Sequence, residues 1–179
     1  MTHHSDGDHF VQFYEDDRGL IESVAAFIGA GLGGGEGAVV IATEAHREAV
    51  AQRLASHGID LAAVEDRGQY VVLDARETLS RFMFGGVIDE VRFRETIGEV
   101  LQAAGNGRRG VRAFGEMVAL LWAAGDADGA IRLEEIWNEL GKDFPFSLFC
   151  AYPLDAFRDH THAREFEQIC QTHTRVLPS

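Results

Sequence analysis

The chain has 179 residues, enough for one domain with a sizeable hydrophobic core. Its 29 acidic and 16 basic residues give a formal net charge of −13, which repels nucleic-acid phosphates and anionic lipids, so we expect neither as a partner. There is no bilayer-length apolar run, no secretion signal and no disulfide framework, since only Cys150 and Cys170 are present. We therefore expect a cytoplasmic protein with reduced thiols.

Short apolar runs alternate with segments of helical periodicity along most of the chain. The runs that predict strands are residues 9–14, 37–43, 70–73, 111–114 and 146–152. The segments that predict helices are residues 20–32, 44–57, 76–84, 88–104, 117–123, 131–140 and 165–172. This alternation predicts a three-layer α/β fold with a mainly parallel sheet of five or more strands. We expect residues 1–8 to form a flexible tail and residues 9–179 to form a single domain.

Acidic residues follow four of the five predicted strands. In an open parallel sheet, ligands bind beyond the carboxyl ends of the strands. The acids at these ends are Glu15, Glu44, Asp74 and Glu116. Each acid alone could simply favour the dipole of the next helix, but four like charges in one crevice would repel each other. We therefore interpret this edge as a polar ligand pocket with aromatic walls from Tyr14, Tyr152 and Phe13.

Cys150 lies in the last predicted strand, where the simplest interpretation is a small buried hydrophobic residue. Strand alternation places it on the same face as Tyr152, so its thiol could line the pocket or bind a metal. His9 opens the first predicted strand, and at roughly 3.3 Å per residue it lies about 16 Å from Tyr14. That distance places His9 at the opposite edge of the sheet, and we keep it as a candidate ligand-binding residue.

The end of the chain has the most metal-like composition. It contains His160, His162, Cys170 and His173, of which Cys170 and His173 are spaced to share a helical face. No zinc signature with two well-spaced ligand pairs is present, so a solvated helix end is the better interpretation. We expect no bound metal and no cofactor.

The sequence offers no committed catalytic nucleophile. It has no G-x-S-x-G motif, and its only lysine, Lys142, follows a predicted helix rather than a glycine-rich phosphate loop. We therefore expect no enzymatic activity. A metal-dependent hydrolase built on the strand-end acids is an alternative.

Several short motifs, taken in order, resemble the MEDS domain, the methanogen/methylotroph, DcmR sensory domain. The resemblance extends from His9 to about Pro178. The motifs are His9-x-x-x-Phe13-Tyr14-Glu15, Gly35-Glu36-Gly37 before the run ending at Glu44, Phe114-Gly115-Glu116-Met117, Leu133-Glu134-x-x-Trp137-Asn138, Cys150-Ala151-Tyr152-Pro153 and His173.

The resemblance implies a RecA/KaiC-like core that senses simple hydrocarbon derivatives in prokaryotic signalling. The family motifs indicate His9, Tyr14, Glu15, Glu116, Glu134, Cys150, Tyr152 and His173 as site residues. This chain lacks the Lys and Ser/Thr of a KaiC-type phosphate loop, and its fourth predicted strand ends in Gly-Glu where an Mg²⁺-supporting Asp would be expected.

The resemblance further implies a small organic ligand and a separate signalling partner, such as a histidine kinase, a regulator or an anti-sigma component. A homodimer is an expectation by analogy with related cores. The alternative from a different class is a protein-interaction scaffold that has lost its ligand.

Overall fold

A computed structural model describes residues 7–158 and 160–179, apart from the side chain of His160. Its main feature is a six-stranded parallel sheet with the strand order β3-β2-β6-β7-β1-β8. The strands are β1 (His9–Tyr14), β2 (Gly37–Ala42), β3 (Tyr70–Asp74), β6 (Val111–Gly115), β7 (Phe146–Pro153) and β8 (Arg175–Leu177). A separate antiparallel hairpin consists of β4 (Met83–Phe84) and β5 (Val87–Ile88).

Helices cover both faces of the sheet, which confirms the predicted three-layer arrangement. One face, here called the α1 face, packs against α1 (Asp17–Gly33), α2 (Glu44–Ser56) and α3 (Leu61–Asp66). The other, the α7 face, packs against α4 (Ala75–Ser80), α5 (Glu90–Gly105), α6 (Met117–Ala123), α7 (Ala127–Leu140) and α8 (Ala163–Thr172). Two short 3₁₀ helices, Leu154–Phe157 and His160–His162, connect β7 to α8.

The central strands are mostly apolar because the two faces of the sheet bury alternate residues. In β2, Val39 and Ile41 belong to the core on the α7 face, whereas Ala38 and Val40 belong to the core on the α1 face. All six residues of β2 are buried. A strand that is covered on both faces has a continuous apolar sequence, and for this reason the sequence pattern predicted β2 correctly.

The prediction of one helix over residues 76–84 is wrong in its second half. Helix α4 ends at Ser80, and the following residues form the β4–β5 hairpin. Gly85 and Gly86 make its two-residue turn, with φ angles of 58° and 78° that only glycine adopts easily. The sequence pattern also missed α3 and the three-residue edge strand β8, because both elements are too short to show a period.

The beginning of the described chain is held by β7. The backbone N–H of Gly7 donates to the carbonyl of Phe146, and the carbonyl of Asp8 accepts from the N–H of Leu148. Residues 7 and 8 are therefore not part of a flexible tail. The rest of the predicted tail, residues 1–6, lies outside the described residues.

We also searched the described part of the chain for membrane-spanning segments. None of its helices combines the length and the apolar character needed to cross a bilayer.

Candidate functional site

Four polar side chains from four separate segments meet on the α7 face of the sheet. They are His9 at the start of β1, Glu134 in the middle of α7, Cys150 in β7 and His173 just after α8. One ligand-type atom from each lies within 4.8 Å of the others. We call these residues the buried cluster.

Strand pairing and helix packing bring these segments together. Strands β1 and β7 are parallel neighbours, with His9 opposite Leu148, so that Cys150 lies one pleat further along the same face. Glu134 occupies the buried stripe of α7, between Leu133 and Trp137, and is 0% exposed. Its burial in an otherwise apolar helix face requires polar partners on the sheet.

Glu134 has a partner at each carboxylate oxygen. Its Oε2 lies 3.1 Å from His9 Nε2 and 3.3 Å from His173 Nε2. The same oxygen accepts a hydrogen bond from Cys150 Sγ at 3.3 Å. Its Oε1 accepts a hydrogen bond of 2.8 Å from the hydroxyl of Tyr152. The cluster therefore extends through Glu134 to the carboxyl end of β7.

The outer nitrogen of each histidine is fixed by a group that can only accept a hydrogen bond. His9 Nδ1 lies 2.8 Å from Asn138 Oδ1, and Asn138 is oriented by donating from Nδ2 to the carbonyl of Thr172. His173 Nδ1 faces the carbonyl of Ile169. Both Nδ1 atoms must therefore carry a proton, which leaves both Nε2 atoms facing Glu134.

Burial and mutual contact shift the pKa values of the cluster in opposite directions. Burial acts to raise the pKa of Glu134, but His173 and His9 outweigh it through charge and hydrogen bonds, so this pKa is lowered. Burial, together with the neighbouring charge of Glu134, raises the pKa of Cys150 and of Tyr152 well above their usual values. A carboxylate thus accepts hydrogen bonds from a neutral thiol and a neutral phenol.

An aromatic pocket of about 260 Å³ lies next to this cluster, beyond the carboxyl end of β7. It is lined by Leu154, Phe157, His162, Ala163 and Phe166. The ring of Phe157 lies 5.8 Å from that of Tyr152 and 5.2 Å from that of Phe13, measured between centroids. Phe13 and Tyr152, which the sequence predicted as pocket walls, therefore lie directly behind the pocket.

A second cleft, of about 220 Å³, opens at the amino end of the sheet. Its lining includes His9, Asn138 and Trp137. His9 is only 4% exposed, yet this cleft brings open space up to its ring. The buried cluster thus has a short route to the surface on the side away from the aromatic pocket.

The predicted pocket shared by Tyr14 and Tyr152 does not form, because these residues lie on opposite faces of the sheet. Phe13 is the register partner of Tyr152, and its ring stacks 5.9 Å from the tyrosine ring. Tyr14, one residue later, packs on the α1 face. Successive side chains of a strand alternate between faces, so only one of the two residues can join Tyr152.

The strand-end acids are dispersed, each in its own surroundings. Glu116 contacts Nδ1 of His46, with the closer carboxylate oxygen at 2.9 Å. Asp74 accepts hydrogen bonds from the backbone N–H groups of Glu77 and Arg76 and pairs with Arg47. These contacts, the one with Glu77 foremost, lower the pKa of Asp74 although burial opposes them. The predicted site residues Glu15 and Glu44 are exposed. The prediction that these four carboxylates converge in one crevice is therefore wrong.

His46 is a residue that the sequence analysis missed. It lies in the first turn of α2 and contacts Glu116, while its Nε2 is 3.4 Å from Asp17. The hydrogen bond with Glu116 raises the pKa of His46, against a smaller lowering by burial. Its position two residues after Glu44, just beyond the carboxyl end of β2, is the signal that could have identified it.

The sequence interpretation of the two cluster histidines also needs correction. His9 does lie at the amino end of β1, but the polar cluster is located there rather than at the far edge. His173 is not on a solvated helix face, because its backbone leaves α8 in an extended conformation and its side chain is fully buried. Cys170 is half-buried and His162 packs edge-on against Trp122, so neither joins the cluster.

The connection from β1 to α1 is too short and too acidic to bind a triphosphate. It consists of Glu15 and Asp16 alone, whereas a phosphate loop needs about eight residues. Asp16 Oδ1 accepts from the N–H of Gly19 at 2.8 Å, so a carboxylate already occupies the start of the helix. A phosphate there would meet like charge.

The fold defines the class to which the protein belongs, a parallel-sheet α/β domain like those of KaiC-like proteins. A KaiC-like protein from the hyperthermophilic archaeon Pyrococcus horikoshii OT3 superposes with a TM-score of 0.57 at 16% identity. The alignment covers 84% of this chain but only 65% of that one, less than two thirds of its length. This likeness confirms the predicted RecA/KaiC-like fold.

The family follows from the sequence. The family model for MEDS, the methanogen/methylotroph, DcmR sensory domain, matches residues 8–174. The chain therefore belongs to the MEDS family of sensory domains, as its motifs predicted. A search of curated proteins found no match.

Proposed function

We propose that this domain senses a small, largely apolar organic molecule in the aromatic pocket and signals its presence to a separate protein. The observation that carries the proposal is the pocket beside Tyr152, whose hydroxyl donates a hydrogen bond to the buried Glu134. The family supports a sensory role. The resemblance discussed above implies simple hydrocarbon derivatives as the class of ligand.

The pocket suits a small apolar guest better than a charged one. Its wall combines Leu154, Phe157 and Phe166 with a single polar side chain, His162. A volume of about 260 Å³ is below the range of roughly 300–1,000 Å³ for drug-sized ligands, so only a small molecule would fit. Haloalkanes and short alcohols meet these requirements, whereas a methylammonium ion would rely on the aromatic rings alone.

The same rings offer a route by which occupancy could alter the rest of the domain. Phe157 and Phe166 both line the pocket and contact each other edge-on, with 5.3 Å between ring centroids. A guest that inserted between the two rings would separate the 3₁₀ helix Leu154–Phe157 from α8. Helix α8 leads directly into His173 of the buried cluster. A shift of α8 would therefore be coupled to the contacts of Glu134 and to the protein surface that α8 forms.

The signalling partner is the less defined half of the proposal. The resemblance implies a histidine kinase, a regulator or an anti-sigma component. The formal charge of −13 favours a partner with a basic docking surface.

Thermal shift and calorimetry with small haloalkanes, alcohols and methylamines would test the proposal. The key variant is Ala163→Trp, because Ala163 lines the pocket and a large side chain there would fill it. Its control is Gln168→Trp, which adds the same side chain at an exposed position of α8. A ligand should stabilise the wild type and the control but leave the pocket-filled variant unchanged.

Two results would contradict the proposal. A ligand that stabilises Ala163→Trp as much as the wild type binds somewhere else. If no compound in the panel raises the melting temperature of the wild type, the assigned ligand class is wrong and the scaffold alternative gains support.

A further inference from the structure

We propose that the buried cluster is a four-ligand site for a divalent transition-metal ion, with Zn²⁺ the best match. The ligands would be His9 Nε2, Glu134 Oε2, Cys150 Sγ and His173 Nε2. This inference goes beyond the proposed sensing of a small molecule and does not depend on it, because the aromatic pocket and the cluster use different residues.

The spacing of the four atoms fits tetrahedral coordination. Bonds of roughly 2.0–2.3 Å to nitrogen, oxygen and sulfur place tetrahedral ligands about 3.4 Å apart. In the cluster, His9 Nε2 is 3.1 Å from Glu134 Oε2 and 3.3 Å from Cys150 Sγ. His173 Nε2 is 3.3 Å from the same carboxylate oxygen. Small side-chain adjustments would centre an ion among them.

Charge balance favours a cation at this position. Because both Nδ1 atoms face acceptors, each Nε2 is the ring atom directed at the carboxylate of Glu134, the position from which an imidazole binds a metal ion. His173 Nε2 is buried and lacks a hydrogen bond despite its proximity to that carboxylate. A divalent ion with one thiolate and one carboxylate gives a site of zero net charge, which suits a buried location.

Outer contacts hold each ligand in the orientation that metal binding requires. Asn138 accepts from His9, the carbonyl of Ile169 accepts from His173, and Tyr152 donates to the second oxygen of Glu134. Such partners fix the tautomer and direction of ligands at metal sites in proteins.

The donor set selects the type of metal. Two imidazoles and a thiolate exclude Mg²⁺ and Ca²⁺, which prefer oxygen, and favour Zn²⁺ or a neighbouring ion such as Co²⁺ or Fe²⁺. Four protein ligands close a tetrahedral shell, as in structural zinc sites. On coordination the thiol of Cys150 would release its proton to solvent, and the cleft at His9 would give the ion a path inward.

Titration of the chelator-treated full chain with Co²⁺ gives a direct spectroscopic test. The decisive variant is Cys170→Ser, which removes the half-buried cysteine outside the cluster and leaves Cys150 as the sole thiol. A thiolate-to-cobalt absorption band at one ion per chain in this variant can come only from Cys150. Absence of this band would overturn the proposal. Its presence would exclude Co²⁺ binding by His3 and His4 alone, because histidines give no thiolate band.

Two further variants assign the remaining ligands. Cys150→Ser should abolish the band. Asn138→Ala removes the outer partner of His9 together with the hydrogen bond from Asn138 to the carbonyl of Thr172, and it should weaken Co²⁺ binding by about 10–100-fold. Should Cys150→Ser fail to fold, the Asn138→Ala titration decides. Its control is His57→Ala, which removes an exposed histidine just after α2 and should leave Co²⁺ binding unchanged. Unchanged affinity in Asn138→Ala would count against the assigned geometry.

Discussion

The hydroxyl of Tyr152 donates a hydrogen bond of 2.8 Å to Glu134 Oε1, and both side chains are 0% exposed. This single contact joins the carboxyl end of β7 to the middle of α7. It also joins the two candidate sites of the domain, because Tyr152 stands behind the aromatic pocket and Glu134 lies at the centre of the buried cluster. The predictions below begin with this pair.

Replacing Tyr152 with Phe should destabilise the protein by about 1.5–3 kcal/mol. The change removes one donor from a buried carboxylate, and hydrogen bonds to charged groups contribute about this much. Urea unfolding with a chelator present would measure it. The matched control is Tyr70→Phe, since the hydroxyl of Tyr70 is buried without a hydrogen-bond partner and its removal should be neutral or stabilising. Equal losses in both variants would contradict this account.

Replacing Glu134 with Ala should cost about 3–5 kcal/mol. The substitution leaves His9, Cys150 and Tyr152 with buried polar atoms that have lost their common partner. The neighbouring Glu135 is exposed and pairs only with Arg132, so Glu135→Ala should change the free energy of unfolding by less than about 0.5 kcal/mol. Comparable losses for the two glutamates would disprove the central position of Glu134.

The pair of His46 and Glu116 should make stability depend on pH. The hydrogen bond with Glu116 raises the pKa of His46 above its usual 6.5, although burial partly opposes this, and Asp17 adds to the raise. Because the pKa of His46 is higher in the folded than in the unfolded state, protonated His46 stabilises the folded protein. This stabilisation is complete below the unfolded-state pKa of about 6.5 and is lost as pH rises through the raised folded-state pKa.

Unfolding at a series of pH values would check this dependence. The stability advantage of wild type over His46→Gln should be largest in mild acid and decline toward alkaline pH. His57→Gln, at the exposed end of the same helix, provides the control and should show no such decline. If the stability advantage of the wild type over His46→Gln grew with pH, the pKa of His46 would be lowered in the folded state rather than raised.

Two glycines that look alike in the sequence should respond in opposite ways to alanine. A Cβ at Gly37 would overlap the backbone carbonyl of Ala104, because α5 packs directly on the start of β2. Such overpacking costs about 1–3 kcal/mol. Gly33, at the end of α1, has open space and no positive φ, so Gly33→Ala should stabilise by about 0.5–1 kcal/mol. Thermal unfolding of the two variants would reveal the contrast.

Sequence reasoning located all five of the longer strands of the sheet, because burial on both faces produces continuous apolar runs. It also placed Cys150 and Tyr152 on one face, and the core on the α7 face confirms that parity. It failed for β8 and for the β4–β5 hairpin, where only two or three residues pair and the pattern carries too little information.

The candidate site was predicted less well than the fold. Its residues were named individually, but the predicted crevice grouped Tyr152 with Tyr14 and separated it from His9. In the structure, Tyr14 is separated from Tyr152, because successive residues of β1 alternate between faces and Tyr14 packs on the α1 face. His9 and Tyr152 are instead linked, because Glu134 of α7 contacts both. The ligand-binding role of these residues stays a prediction.

The α/β alternation, the family and the identity of the polar residues could all be predicted from the sequence, because local patterns and motifs encode each of them. Only the tertiary structure decided that residues 9, 134, 150 and 173 share one site. Their proximity depends on the strand order β7-β1-β8 and on the packing of α7 and α8 across it. Glu134 and Cys150 are 16 residues apart and His9 and Cys150 are 141 apart, so no regular spacing along the chain encodes the cluster.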